Sequence, residues 1–391
     1  MKRIFCIPAK TIILAIATLF LFSCGGTKTN ESVFPNQAAQ ACINQAIKNK
    51  FIVGWEDGTY SIEHASSEES FRKNFVSKNL DRIRHIDRDI KIQLRQLDSS
   101  SDVQTQDNMQ WQVDQVSARS VWNQGYMGQN IIVGVVDGMV DTAQVQLKNN
   151  IAYFKQFNNQ VNDSNLNRHG THVSGIIAAD PSLGAVSGIA PQARIAAGQF
   201  IGNDGGGSIG DAIMAMQAVV QQGARIINLS WGGAPCVDNL QTTMNQLSAN
   251  GILLVTAAGN ESTDSDSFPT YPAAFMTLNQ INVAATGFND LLTSFSNRGY
   301  KTVQVAAPGQ AIYSTTPGNT ITAMDGTSMA APVVSGAAAL LMSAVPTASA
   351  QQVKQALMTT VDVPGQYLQT ATGGRINVQN ALLKLKQIVL K

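Results

Sequence analysis

The amino-acid sequence predicts an α/β fold with a mostly parallel central sheet, preceded by a smaller α+β region. After about residue 109, apolar runs of strand length alternate with segments of helical periodicity. This alternation is typical of a parallel sheet that helices cover on both faces. The chain before that point is far more charged, since residues 1–108 contain 14 Lys and Arg and 12 Asp and Glu, whereas the longer remainder contains 13 and 14. Such a shift in composition indicates a domain boundary.

The overall composition excludes several classes of protein. Of the 391 residues, 44% are hydrophobic and 14% are charged, which rules out a disordered chain. The formal charge of +1 gives no reason to expect nucleic acid as a partner. Four cysteines are too few for a fold built on disulfides.

The first residues predict export rather than a folded element. Basic residues precede an apolar run at 11–22, which is too short to cross a bilayer and fits the core of a signal peptide. The sequence LFSC ending at Cys24 resembles the lipobox of bacterial lipoproteins, in which the cysteine is acylated. We therefore predict a lipoprotein signal peptide at 1–23, lipidation of Cys24 and a tether at 24–49, which place the protein on a membrane of the bacterial cell envelope. A plain secretion signal with an incidental cysteine and an uncleaved anchor are the alternatives.

Residues 50–98 predict a small α+β unit. Their apolar patterns indicate a strand, an amphipathic helix and a second strand, at 51–55, 69–80 and 91–94. A polar linker at 99–110 separates this unit from the larger α/β part at 111–391.

Polar side chains follow several strands of the larger part. A buried strand at 131–136 ends at Asp137, and a strand at 252–257 is followed closely by Asn260. Because the carboxyl ends of parallel strands meet at one edge, these side chains are expected to lie near one another. The small residues after His169 predict a helix packed closely on the sheet. Ser328 lies near the start of a long apolar helix, where N–H groups favour developing negative charge.

Four sequence blocks carry a resemblance to a known family. VVDG, HGTHVSG, AAGN and GTSMAAP, in that order, are similar to the motifs of the subtilisin family of serine proteases. The resemblance covers about residues 110–385 and implies a three-layer subtilisin-like fold. It also implies a serine endopeptidase that hydrolyses peptide bonds in polypeptide substrates through an acyl-enzyme intermediate.

The chemistry of acyl transfer gives each motif residue a role. A serine hydroxyl is a poor nucleophile until a base removes its proton, so Ser328 is the predicted nucleophile and His169 the predicted base. Asp137 would orient the imidazole and stabilise its charged form. The Asn260 side chain and the Ser328 N–H would form the oxyanion hole. Taken singly, each residue has a structural alternative, namely a helix cap, a buried core histidine or a turn amide.

The resemblance also implies the substrate-binding residues. Gly206 and Gly207 match the strand that pairs with an extended substrate backbone. The two walls of the primary specificity pocket match Ser230, Trp231, Gly232, Ala257, Ala258 and Gly259. Thr270 falls near the floor of this pocket, where a β-branched side chain would favour modest apolar residues over Trp.

No cofactor is required for this chemistry. His172 lies three residues after His169 but lacks the flanking pattern of a metal site, so we predict a packing role. A structural calcium ion is the one metal that the resemblance suggests, because relatives often ligate calcium through an aspartate where Gln146 stands here. Gln146 offers only a neutral oxygen, and Asp141 alone is not a site, so the residues argue against it.

The resemblance to subtilases also implies that the unit at 50–98 is a propeptide that inhibits its own catalytic part. A spacer and an envelope-binding module are the alternatives. Self-cleavage would fall between about Leu97 and Met109 and would separate the catalytic part from the lipid. A disulfide between Cys42 and Cys236 would keep the pieces joined in an oxidising envelope.

The sequence as a whole predicts an exported, lipid-anchored serine endopeptidase, expected to be a monomer. The alternative is a catalytically silent surface lipoprotein that binds peptides or envelope partners on the same scaffold. The complete set of Asp137, His169, Asn260 and Ser328 argues against that alternative. A nucleotide-binding protein is excluded because no phosphate-binding loop follows the first strand.

Overall fold

The computed structural model describes residues 45–94, 97–98, 109–158, 168–234 and 237–390. The predicted signal peptide, Cys24 and the predicted disulfide between Cys42 and Cys236 lie outside these ranges. The strands are β1 (Ala46–Trp55), β2 (Tyr60–His64), β3 (Ile83–Gln93), β4 (Leu97–Asp98), β5 (Ile132–Asp137), β6 (Ile151–Gln156), β7 (Arg194–Gln199), β8 (Gly206–Ser208), β9 (Ile226–Leu229), β10 (Leu253–Ala257), β11 (Gln280–Thr286), β12 (Val305–Pro308), β13 (Ile312–Thr316) and β14 (Thr320–Asp325).

The α-helices account for most of the remaining regular structure. They are α1 (Glu68–Phe71), α2 (Ser77–Asn79), α3 (Trp111–Gln115), α4 (Ala118–Trp122), α5 (His169–Ala178), α6 (Ile209–Gln221), α7 (Asp238–Ala249), α8 (Thr327–Ala344), α9 (Ala350–Thr359) and α10 (Val378–Val389). A π-helical segment, Arg72–Val76, joins α1 to α2, and 3₁₀ turns lie at Leu80–Arg82, Pro181–Leu183 and Ala273–Phe275.

Seven strands form the central sheet, in the order β12-β11-β10-β9-β5-β7-β6. All of its pairings are parallel, which confirms the predicted sheet. Helices pack on both faces, with α5 and α8 in one hydrophobic cluster and α6 and α7 in the other. The predicted three-layer α/β fold is therefore confirmed.

Helix α8 runs through the core on one face of this sheet. It alone among the described residues is long and apolar enough to cross a membrane, yet 89% of it is buried inside the protein. Its apolar residues pack against α5, β10 and β11, so its hydrophobicity is that of a core helix.

The N-terminal unit has its own small core. β1 pairs with β2 and β3 in antiparallel fashion, and the helical segment from α1 onward packs on one face of this sheet. The rings of Phe51 and Phe71 stack there at a centroid distance of 4.1 Å. The opposite face, through Ile52 and Ile90, packs against the cluster that contains α6 and α7.

Carboxylates of β3 meet the N-termini of these two helices. Asp87 Oδ2 accepts a hydrogen bond from Asn239 N at 2.7 Å, and Asp89 Oδ1 accepts one from Gly210 N at 2.9 Å. Negative charge is favourable at a helix N-terminus. Asp89 is fully buried, and Lys50 Nζ lies 2.8 Å from its other oxygen, so the buried charge is compensated.

Candidate active site

Asp137 and His169 meet at the carboxyl edge of the central sheet. Asp137 is the last residue of β5, and α5 begins at His169; both side chains are almost completely buried. Asp137 Oδ1 accepts hydrogen bonds from His169 Nδ1 at 2.7 Å and from Gly138 N at 2.5 Å. A carboxylate only accepts, so Nδ1 carries the proton of a neutral ring and Nε2 is left as the proton acceptor.

Ser328 is the second residue of α8 and is held against the end of β9. Its Oγ donates to the carbonyl of Ser230 at 3.0 Å, while Ser230 Oγ donates to the Ser328 carbonyl at 2.9 Å. The Ser328 hydroxyl has one proton, which this bond uses. The proton must therefore be redirected, by rotation about the Cβ–Oγ or the Cα–Cβ bond, before it can be donated to His169. The Ser328 N–H belongs to the first turn of the helix, whose N–H groups have no acceptor within the helix.

The Asn260 amide is oriented by Thr327. Asn260 Oδ1 accepts from Thr327 N and from Thr327 Oγ1, both at 2.9 Å. Thr327 Oγ1 in turn accepts from Gly259 N at 3.0 Å. Because the oxygen already accepts these two hydrogen bonds, the Asn260 NH₂ group is the part of the amide that can donate a hydrogen bond to a substrate. Sequence reasoning missed Thr327, although it directly precedes the predicted nucleophile.

A cleft of about 720 Å³ opens beside these groups. Asn260, Ser328 and four of the predicted substrate-binding residues line it, namely Trp231, Gly232, Ala257 and Gly259. Trp231 is nonetheless largely buried, with its indole N–H donating to the Val136 carbonyl at 3.0 Å. Ala258 instead packs in a separate apolar cluster with Ala284 and Val303.

Two further cleft residues come from the segment after Asn260. Thr270, the residue expected near the floor of the specificity pocket, lines the cleft. Glu261 also lines it and carries the only carboxylate among the described lining residues. Its Oε2 accepts from Asn297 Nδ2 at 2.8 Å, which fixes the carboxylate in place. The sequence analysis did not single out Glu261. Its position directly after Asn260 could have indicated that it lies at the substrate cleft.

The N-terminal unit enters the same cleft. β3 pairs with β8, so that Ile92 faces Gly207 and Gln93 faces Gly206, and Leu94 N donates to Gly205 O at 2.8 Å. Leu97 pairs with Asp325 of β14, three residues before Ser328 in the sequence. The N-terminal unit therefore pairs with the larger part of the protein at β8 and again at β14. Gly206 and Gly207 therefore lie on a strand whose backbone pairs with another strand, and the resemblance implied that a substrate would pair with this strand.

His172 packs inside the protein, away from the cleft. Its Nε2 donates to the Thr322 carbonyl at 2.9 Å, and the side chain is fully buried. Burial lowers the pKa of His172 to about 3, so the ring is neutral at any ordinary pH.

Comparison with known proteins agrees with this geometry. The model of the subtilase family matches residues 128–381. Subtilisin DY of Bacillus licheniformis is 36% identical over 267 residues, which cover 68% of this chain and 96% of that protein. Subtilisin E of Bacillus subtilis is 31% identical over 365 residues, covering 89% and 94%.

A solved structure shares the fold. A protease from Pseudoalteromonas arctica superposes with a TM-score of 0.63 at 24% identity, covering 69% of this chain and 94% of that one. The family match extends over more than half of the chain and includes every motif residue from Asp137 to Ser328. The chain therefore belongs to the subtilase family and is a serine-type endopeptidase.

Proposed function

We propose that this protein is made as a self-inhibited precursor of a lipid-anchored serine endopeptidase, exported to the bacterial cell envelope. Asp137, His169 and Ser328 form its catalytic triad, and Asn260 supplies one donor of the oxyanion hole. The observation that carries the assignment is the buried hydrogen bond of 2.7 Å between His169 and Asp137, at the sheet edge where α8 also begins.

The proposed reaction follows from which of these groups can accept a proton and which can donate one. His169 Nε2 takes the proton of Ser328 Oγ as that oxygen attacks the carbonyl carbon of the substrate. The oxyanion that forms accepts hydrogen bonds from the Asn260 NH₂ group and the Ser328 N–H. His169 then gives its proton to the leaving amine, and water hydrolyses the acyl-enzyme by the same route. Asp137 stabilises the charged imidazole throughout.

The N-terminal unit acts as a propeptide because it already occupies the substrate edge. Its β3 strand makes with β8 the backbone pairing that an extended substrate needs. The match to subtilisin E covers 89% of this chain. The part after residue 110 is shorter than that, so the match includes residues of the N-terminal unit and supports the same role. Asp87 and Asp89 add charged contacts to α6 and α7.

We propose that the self-cleaved bond lies between Leu94 and Leu97, upstream of the range expected from the sequence. Leu94 is bonded to Gly205, and Leu97 is paired with Asp325, three residues before the nucleophile. This stretch joins the pairing with β8 to a pairing that ends three residues before Ser328, which supports cleavage within it. Mass spectrometry of the purified chain over time, with a fluorophosphonate probe added in parallel, is the test. We expect a new N-terminus within this stretch and labelling of Ser328; an intact, unlabelled chain would overturn the proposal.

Glu261 is expected to favour basic side chains in the primary pocket. Its carboxylate is exposed to the cleft, so its interaction with a substrate cation is screened by water. We expect Glu261→Gln to lower kcat/KM about two- to fivefold for a peptide cleaved after Arg. A matched peptide with Leu at that position serves as control and should be unaffected. Equal losses on both peptides would contradict a charge effect and point to displacement of Asn260.

Lipid attachment depends on Cys24 alone in this proposal. A Cys24→Ser variant should lose incorporation of a labelled fatty acid and should leave the membrane fraction. Cys6→Ser is the control, because this cysteine lies before the predicted cleavage point and should not alter labelling. Retention of the label in Cys24→Ser would show that the anchor lies elsewhere.

A further inference from the structure

One buried side chain holds the loop that follows α5. Gln146 is 3% exposed, and its Nε2 donates to the carbonyl of Val186 at 2.7 Å and to that of Asp180 at 3.0 Å. The main chain adds a third contact, since Asp180 N donates to Gln146 O at 2.9 Å. The two ends of the loop at 180–186 are thus tied to a single amide.

The direction of this amide is fixed by its partners. If the oxygen and nitrogen were exchanged, Oε1 would face two carbonyl oxygens and both hydrogen bonds would be lost. Gly184 packs directly on the amide, so closely that a Cβ at that position would clash with Gln146 Oε1. The NH₂ group therefore points at the carbonyls in a closely packed site.

Two carbonyl oxygens that converge on one point need a positive partner. A calcium ion meets this need with oxygen ligands, and the subtilisin resemblance suggests an aspartate for calcium where Gln146 stands. The donor set here does not fit calcium. An NH₂ group has no lone pair to offer a cation, and its hydrogens already occupy the space between the two carbonyls.

We infer that the Gln146 amide takes the place of a structural calcium ion, so that the loop at 180–186 is held without metal. The consequence reaches the active site, because this loop closes back on the helix that begins with His169. Gly188 N donates to Ala179 O, and Ile189 N donates to Ile176 O, both at 2.9 Å. The position of the catalytic helix is then independent of calcium. This inference concerns the scaffold and does not depend on the proposed propeptide or lipid anchor.

The first test compares calcium with a chelator. The full chain carrying Ser328→Ala avoids self-digestion, and its amide hydrogen exchange at 180–188 is measured in calcium chloride and in EDTA. We expect the same protection in both. Protection of this loop that rises when calcium is added to the chain with Gln146 intact would overturn the inference.

The second test changes Gln146 in the same background. Gln146→Ala removes both hydrogen bonds and should lower Tm by about 5 °C in either buffer. Gln146→Asp supplies a carboxylate beside the carbonyls, so its Tm should fall in EDTA and recover when calcium is added. Two results would refute the inference that the Gln146 amide takes the place of a calcium ion. One is an unchanged Tm in Gln146→Ala, and the other is a Tm of Gln146→Asp that calcium does not restore.

Discussion

Replacing Ser328 with alanine is expected to lower kcat on the order of 10⁶-fold, which is the loss established for the nucleophile of subtilisin itself. The hydroxyl oxygen is the atom that forms the acyl-enzyme, and no neighbouring group replaces it. Ser230 lies within hydrogen-bond distance, but its side chain is directed to the Ser328 carbonyl. The measurement is kcat on a fluorogenic peptide, together with self-cleavage followed on reducing gels.

The matched control for this variant is Ser335→Ala on the same helix. Ser335 is also buried in α8, but its hydroxyl bonds to Asn228 and Ala331 and not to the catalytic groups. This variant should keep most of the activity while it loses some stability. Self-cleavage that persists in Ser328→Ala, with no contaminating protease, would show that another group is the nucleophile.

Replacing Asn260 with aspartate is expected to lower kcat by at least about 100- to 1000-fold, the size of loss established for the oxyanion asparagine of subtilisin. Aspartate keeps the acceptor that Thr327 N and Thr327 Oγ1 use, so the side chain should stay in place. It removes the NH₂ donor and puts a negative oxygen beside the developing oxyanion. KM should change little, because the donor acts mainly in the transition state.

Thr327→Val is the companion variant. It removes the hydroxyl that binds Asn260 Oδ1 and Gly259 N but leaves the main-chain bond from Thr327 N. The Asn260 amide should then be oriented less firmly, with a smaller fall in kcat than in Asn260→Asp. A change in KM alone for Asn260→Asp would argue against a role in the oxyanion hole.

Local sequence was sufficient for the parts of the site that sit on regular elements. Asp137, His169 and Ser328 each lie at an end of a strand or helix that apolar periodicity predicts, and parallel pairing brings those ends to one edge. The order of the motifs then indicated the family, and the chemistry of acyl transfer indicated the role of each residue. The same reasoning identified the long helix α8, because most of its residues after Ser328 are apolar.

Features that depend on distant partners could not be predicted in this way. The strand expected at 91–94 is the end of a much longer β3, whose pairing with β8 joins residues far apart in the chain. The amphipathic helix expected at 69–80 is interrupted by the π-helical segment Arg72–Val76. Gln146 was recognised only as a weaker calcium ligand, because the carbonyls that its nitrogen binds come from a later loop.

The four-stranded sheet β2-β1-β3-β8 includes strands from both sides of the proposed cleavage point. While the chain is intact, β3 is presented to β8 at a local concentration on the order of millimolar. Once the chain is cut between β3 and β8, β3 can rebind to β8 only by diffusion. If Cys24 carries a lipid and no disulfide joins the two pieces, the cut would leave the blocking strand attached to the membrane and would release the protease. Proteolysis would then be slowest near the membrane surface, where the tethered blocking strand is concentrated, and fastest away from it.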